Sequence, residues 1–176
     1  MAVSGSTDFT PDITEFIEEA YERCGIELRT GYDLKSAIRS ANIMLAEWAN
    51  RGLNQWTIST GTQTTTEGTE SYQLGTDVID VLDVVVRRTE GSTTTDTRLE
   101  RISRSEYFNI PNKSTKARPS QFFLDKQNNP TLFVYPAPEN STDIIRFNKL
   151  TRLDDADNAR NTMDIPFRFF PCFSAG

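Results

Sequence analysis

The sequence predicts an α+β fold: an N-terminal antiparallel helical hairpin with a large antiparallel β-rich insertion, then the start of a further helix. Three observations predict it. Apolar residues recur at helical spacing twice before residue 52. The period then drops toward two in a stretch rich in Thr and Val, and an aromatic run broken by prolines appears at 165–173. The segments are 1–54 for the helical hairpin, 55–150 for the insertion, and 151–176 for a polar loop and the start of the C-terminal helix.

The first helix is expected to start at Thr10-Pro11, a Thr cap followed by proline at the first helical position. Ile13, Phe16, Ile17, Ala20, Tyr21 and Cys24 then form one apolar stripe, and Gly25 ends it. A second helix from about Asp33 aligns Leu34, Ala37, Ile38, Ala41, Leu45 and Trp48, with Gly52 as the stop. The short link between the two implies an antiparallel pair. Two such helices bury their stripes poorly by themselves. Their cover is therefore expected from helices beyond Gly176 or from another subunit.

From Thr57 to Thr69 the Thr-rich stretch has the chemistry of strands with one wet face. Tyr72 and Leu74 alternate, and Asp77–Arg88 is a β-branched strand run. Gly91–Asp96 reads as an exposed loop or hairpin tip, and Ser103 with Glu106 has the spacing of a capping box. Strands are expected at Gln121–Asp125, Thr131–Tyr135 and Asp143–Leu150, joined as an antiparallel meander through Asn128-Asn129-Pro130 and Pro136–Asn140. Thr151–Thr162 is a polar loop, and Ile165–Phe173 opens a new apolar element.

The chain has no His among its 176 residues, which removes the imidazole base, the His-dependent nucleophile pairs and His metal ligands. Cys24 and Cys172 are too few for a disulfide framework or a thiolate zinc site, and both are expected as small buried hydrophobes in reduced surroundings. Phosphate-loop, dinucleotide and nucleophile-elbow signatures are absent. No leader pattern or membrane-length apolar run is visible, so the sequons at Asn112 and Asn140 read as accidental.

Two acidic groupings invite a cation. Asp154, Asp155 and Asp157, with Asn158 and Asn161 nearby, offer oxygen ligands, but an EF-hand counted from Asp155 would need Gly and Glu where Arg160 and Pro166 stand. Asp77, Asp80 and Asp83 would share one strand face only if a bulge intervened. The reading is therefore of a protein that is not an enzyme, with no catalytic, cofactor-binding or metal residues.

Net charge is -6, which argues against a generic nucleic-acid binder. It is unevenly spread: residues 1–31 hold seven acids against two arginines, and residues 84–118 hold eight basic residues against four acids. Segregated charge of this kind steers one copy onto another or onto a partner. The interface candidates are Arg87, Arg88, Arg98, Arg101 and Arg104 on the basic stretch and Glu15, Glu18, Glu19 and Glu22 on the acidic one. Reversing Arg87 and Arg88 to Glu is expected to slow assembly while leaving the fold intact.

From Ile38 to Trp56 the chain resembles the head-to-tail adaptor proteins of tailed bacteriophages, above all the podovirus group of tail tubular protein A and the tail accessory factors. The likeness rests on Glu47-Trp48 near the helix end, the Gly52-Leu53 step and Trp56 at the strand start. Tyr72-Gln73-Leu74, Arg118-Pro119-Ser120, Thr131–Pro136 with Pro138, and Asp164–Arg168 extend it over about residues 10–176. The resemblance implies a structural virion protein that forms a homo-oligomeric ring of twelve at the head-tail junction and is made in the host cytoplasm. It also implies a portal protein and a tail nozzle or tail tube protein as partners, genomic DNA passing through the channel without sequence-specific binding, and no membrane. The alternatives are a virion-associated cell-wall glycan hydrolase using a carboxylate pair, or a carbohydrate-binding β module stacking sugars on Trp56, Tyr72 or Tyr135.

Overall fold

The computed structural model describes residues 5–27, 31–52, 56–156 and 162–175. The fold is α+β, and the chain divides into two compact units: residues 1–53 with 153–176, and residues 54–152.

The first unit holds α1 (Ile13–Arg23) and α2 (Gly31–Asn50). Helix α1 does not start at the Thr10-Pro11 cap. Asp12 is its N-cap: the Glu15 amide donates to the Asp12 carboxylate at 3.0 Å, and the Glu15 carboxylate accepts from the Asp12 amide at 2.9 Å. This reciprocal pair satisfies two otherwise orphaned amides, which a lone Thr followed by proline does not do. Gly25, at φ 71, ends the helix; its amide donates to Glu22 and that of Ile26 to Tyr21. Only a residue free to adopt this left-handed conformation closes the last turn in that way.

Ile13, Phe16 and Ile17 of α1 are buried, as are Ala41 and Leu45 of α2. A 3₁₀ turn at Phe167–Phe169 leads into α4 (Phe170–Phe173), and part of the missing cover comes from here. Phe16 meets the Phe170 and Phe173 rings edge-on at 5.0 and 5.2 Å, and Trp48 lies 6.0 Å from Phe173 and 6.3 Å from Phe169. Cys24 and Cys172 are exposed, contrary to the buried placement expected of them. Cys24 is the C-cap residue that follows α1, whereas Cys172 lies within α4 next to the buried Phe173. Asp157, Asn158 and Asn161 lie outside the described residues, as do Leu53, Asn54 and Gln55.

The second unit is a β-sandwich. One sheet runs β1-β8-β3-β4, formed by β1 (Ile58–Thr64), β3 (Val78–Glu90), β4 (Thr93–Arg98) and β8 (Ile144–Thr151). The other runs β2-β7-β6-β5, formed by β2 (Ser71–Gln73), β5 (Glu100–Arg101), β6 (Gln121–Asp125) and β7 (Thr131–Tyr135). Helix α3 (Arg104–Asn109) follows β5, with Ser103 and Glu106 as its capping box. Val81, Val84, Val86 and Ile145 of the first sheet meet Phe122, Leu124, Leu132 and Val134 of the second in one buried cluster.

Three expectations are corrected here. Gly91–Asp96 is not all loop: Gly91 and Ser92 form a two-residue tip, with Gly91 at φ 60, and Thr93–Arg98 pairs with β3. The last three strands are not one meander, because β6 and β7 form a hairpin while β8 crosses to the other sheet and lies between β1 and β3. The insertion is not wholly antiparallel either, since β5 runs parallel to β6.

Strand β3 buries Val78, Val81 and Val84 at a spacing of three, which a regular strand cannot do. Its pairing with β8 shifts register between Val78 and Asp80 and again between Val81 and Asp83. Each irregularity adds a residue and returns the next valine to the core face. Opposite Phe147, Gly61 is required by close approach: a Cβ there would sit 2.4 Å from the Phe147 ring.

Trp48 is half-buried among aromatic rings of its own unit. Trp48→Ala is expected to destabilise the protein by about 3 kcal/mol, at the low end for a core aromatic. Urea unfolding followed by far-ultraviolet circular dichroism measures it, and an unchanged midpoint would show the ring to be idle.

Candidate assembly surfaces

The five arginines singled out from the sequence sit in the β unit and are engaged there. Arg87 stands directly opposite Asp96 across β3 and β4, and its guanidinium makes two parallel hydrogen bonds of 2.7 and 2.6 Å to that carboxylate. Arg88 donates to Asp143 at 3.0, 3.2 and 2.8 Å and to Glu139 at 2.7 Å. Arg98 pairs with Asp83 at 2.5 Å. Arg101 donates to Asp80 at 3.0 Å and to the Val81 carbonyl at 3.2 Å. Arg104 lies 4.0 Å from Asp125 and 5.6 Å from the centre of the Phe108 ring.

The surplus positive charge of residues 84–118 is therefore met by acids from elsewhere in the same unit. Residues 54–152 contain 12 Lys and Arg against 12 Asp and Glu. The rest of the chain has 7 against 13 and carries the whole net charge of -6. The excess counted along the chain is not an excess in space: sequence neighbours are not the spatial neighbours, and the fold brings Asp125, Glu139 and Asp143 back onto the basic stretch.

Arg88 is also not a residue whose reversal would leave the fold intact. Asp143 is 2% exposed, and besides Arg88 it accepts from the Asn140 side-chain amide at 3.3 Å. Its backbone carbonyl takes the Thr65 amide and hydroxyl at 3.0 and 2.9 Å. This network ties the start of β8 to β3 and to the end of β1.

The acidic candidates differ among themselves. Glu15 is spent on the capping box of α1, and Glu19 pairs with Arg23 at 2.7 Å. Glu18 and Glu22 are exposed, and their carboxylates have no hydrogen bond or ion pair among the described residues. In the same unit an apolar cavity of about 290 Å³ opens between α1 and α2, lined by Phe16, Ala20, Ala37, Ala41, Met44 and Phe173 among others. Phe9, Tyr32, Ile43 and Phe167 stand out as large exposed apolar side chains of this unit.

No group of three or more His, Cys, Asp or Glu among the described residues is placed to hold a metal ion. Asp77, Asp80 and Asp83 do have bulges between them, yet each is claimed by a different cation. Lys149 takes Asp77 at 2.8 Å, Lys126 and Arg101 take Asp80, and Arg98 takes Asp83. Tyr72, weighed as a sugar-stacking platform, is 5% exposed, and its hydroxyl oxygen accepts the Thr66 amide. No helix among the described residues is long and apolar enough to cross a membrane.

A family model described as SU10 adaptor protein matches residues 5–173, across both units. The chain belongs to that family. It is accordingly a phage adaptor, a structural component of the virion that meets other head and tail proteins. A search of the curated proteins finds no match.

Sequence reasoning missed the pairing that engages the arginines in the β unit of this adaptor. Only the direct opposition of Arg87 and Asp96 across the Gly91 hairpin was accessible, from the turn register. Arg88→Ala leaves the Asp143 carboxylate buried without its cation and is expected to cost about 3–5 kcal/mol. The equivalent change at Arg98, whose side chain is 77% exposed, is expected to cost less than about 1 kcal/mol. Chemical denaturation of the two variants side by side checks the contrast, and equal losses would refute it.

Acid should open the β unit. The Asp77 carboxyl is held below its usual range by its hydrogen bond from Lys149, and Asp96 by that from Arg87. Burial works to raise Asp80, but hydrogen bonds from Lys126, the Val81 amide and Arg101 outweigh it and hold it low as well. A carboxylate with a depressed folded pKa adds stability above its unfolded pKa and loses it as pH falls through the folded one. Unfolding free energy is thus expected to stay level from neutral pH to roughly 5 and to fall from about pH 4 downward. Denaturation midpoints measured across that range check it; a decline already complete at pH 5 would refute it.

Proposed function

We propose that this phage adaptor is non-enzymatic and works as a head-to-tail connector of the podovirus tail tubular and tail accessory type. Twelve copies close into a ring at the head-tail junction, between the portal protein and the tail nozzle or tail tube protein. The ring leaves a channel through which genomic DNA passes without sequence-specific binding. In this reading α1 and α2 form an antiparallel hairpin whose outer surface meets the neighbouring copy or the portal.

The observation that carries the reading is the family match over residues 5–173. The distribution of charge supports it. Arg87, Arg88, Arg98, Arg101 and Arg104 each face a carboxylate of the β unit, so these five offer DNA phosphates no unopposed row to grip, which suits a duplex that must slide. The helical unit keeps what a protein partner uses: unpaired carboxylates at Glu18 and Glu22, exposed apolar side chains and an open apolar cavity.

Electron microscopy and mass photometry of the purified protein, alone and mixed with portal, test this. Rings with a central opening are expected, and a Glu18→Lys/Glu22→Lys variant is expected to keep its melting temperature while assembling at least about tenfold more slowly. Arg98→Glu is expected to assemble normally. A protein that stays monomeric with and without portal, or hydrolytic turnover of peptidoglycan abolished by one Asp or Glu substitution, would overturn the proposal.

A further inference from the structure

A second cavity, of about 200 Å³, opens on the outer face of the β2-β7-β6-β5 sheet, under α3. Its walls are aromatic: Tyr107 and Phe108 come from α3, Phe123 from β6 and Phe133 from β7. The Tyr107 ring lies 5.7 Å from Phe123 and 5.3 Å from Phe133. Glu70, Asp125 and Lys113 also line the cavity, two carboxylates against one ammonium.

Two of its polar groups are idle. Tyr107 is 4% exposed, and its hydroxyl is buried with no hydrogen-bond partner. The Glu70 carboxylate has no hydrogen bond or ion pair among the described residues. The others are engaged: Asp125 accepts from Gln127 at 3.1 Å and faces Arg104, and Lys113 donates to the carbonyls of Phe108 and Ile110 at 3.3 and 3.1 Å. Burial, with the charge of Glu70 behind it, pushes the Tyr107 phenol up to about 12, so the hydroxyl stays protonated. A buried hydroxyl left unsatisfied is uncommon in native proteins, and here an unmatched carboxylate lines the same space.

We propose that this cavity is a receptor for a guanidinium group, an arginine side chain presented by a second protein chain. A guanidinium is a flat cation with donors along its edge. It can give hydrogen bonds to the Glu70 carboxylate and to the Tyr107 oxygen at once while its faces lie against phenyl rings. An ammonium lacks that plane, and the cavity already holds one over Tyr107, Lys113 at 5.5 Å from the ring centre. An anion would face Glu70 and Asp125. The inference does not rest on ring assembly, because it uses only groups of the β unit.

The test titrates the full chain with N-acetyl-arginine methylamide, taking the lysine and norleucine counterparts as controls, and follows the amide resonances of α3 and β7. Saturable shifts are expected with the arginine probe, at least about tenfold tighter than with lysine. Glu70→Gln is expected to weaken the arginine probe by about tenfold or more. Tyr107→Phe supplies a readout that a merely structural tyrosine would not give: deleting an unsatisfied buried hydroxyl should raise the melting temperature of the free protein while weakening arginine binding. Absence of saturable shifts would overturn the proposal. So would equal binding of the three probes, or a lowered melting temperature in Tyr107→Phe with arginine binding unchanged.

Discussion

The β unit depends on strand β8 being held between β1 and β3. Strand β8 is the last of the unit in sequence and lies inside its sheet, so the sheet is completed only after some ninety residues have been laid down. Closing a loop of that length costs entropy, and the return comes from two full ladders, a buried Ile145 and the Arg88–Asp143 contact at the strand's start. The same pairing sets Ile58, near the start of the unit, opposite Leu150, near its end, and the Thr151 amide donates to the Thr57 carbonyl at 2.9 Å. A unit whose two chain ends are hydrogen-bonded to each other can stand within another polypeptide segment without needing those ends held from outside.

That constraint also explains the distribution of charge. A strand drawn in from far along the chain brings its flanking residues with it, and Asp143 and Glu139 arrive beside Arg88. Most of the basic stretch that stands out in linear sequence becomes a set of internal pairs, one of them involving a carboxylate almost fully withdrawn from water, while Lys113 turns to backbone carbonyls and two Arg118 nitrogens are buried without a hydrogen bond. Replacing such a pair by apolar groups need not weaken a fold, but breaking it leaves a stranded charge. Arg88 therefore acts as a structural residue, while Arg98, paired in the open, is free to vary.

Much of the architecture was legible because local chemistry and final structure agree. The limits of β6 and β7 follow from alternation bounded by turn residues, the Ser103–Glu106 box from its spacing, and the stops at Gly25 and Gly52 from the left-handed conformation those positions need. Where reading failed, a nonlocal or reciprocal contact decided. The Asp12–Glu15 box outcompeted Thr10-Pro11, β8 left its sequence neighbours for the other sheet, and two bulges let β3 bury valines three apart. For the candidate surfaces the residues were visible and their partners were not. Nothing in the linear order marks Glu18 and Glu22 as unpaired and Glu15 and Glu19 as engaged except capping and i,i+4 spacing, which distinguish them once the helix start is right.

The two units thus meet the demands on an adaptor in different ways. In the β unit, 12 cations balance 12 anions, and a cluster of apolar side chains closes between two sheets, while Ile58, Ile79, Leu82 and Phe108 stay exposed. In the helical unit the helices bury part of their apolar stripes, with six more anions than cations and large apolar side chains such as Phe9, Tyr32 and Ile43 still in water. Exposed apolar surface rimmed by charge is costly for a chain standing alone and useful for one that is to be covered. The buried core of the sandwich gives the β unit cooperative stability from its own contacts, yet neither unit is complete by itself: Glu18 and Glu22 stand without partners in one, and Glu70 and the Tyr107 hydroxyl in the other.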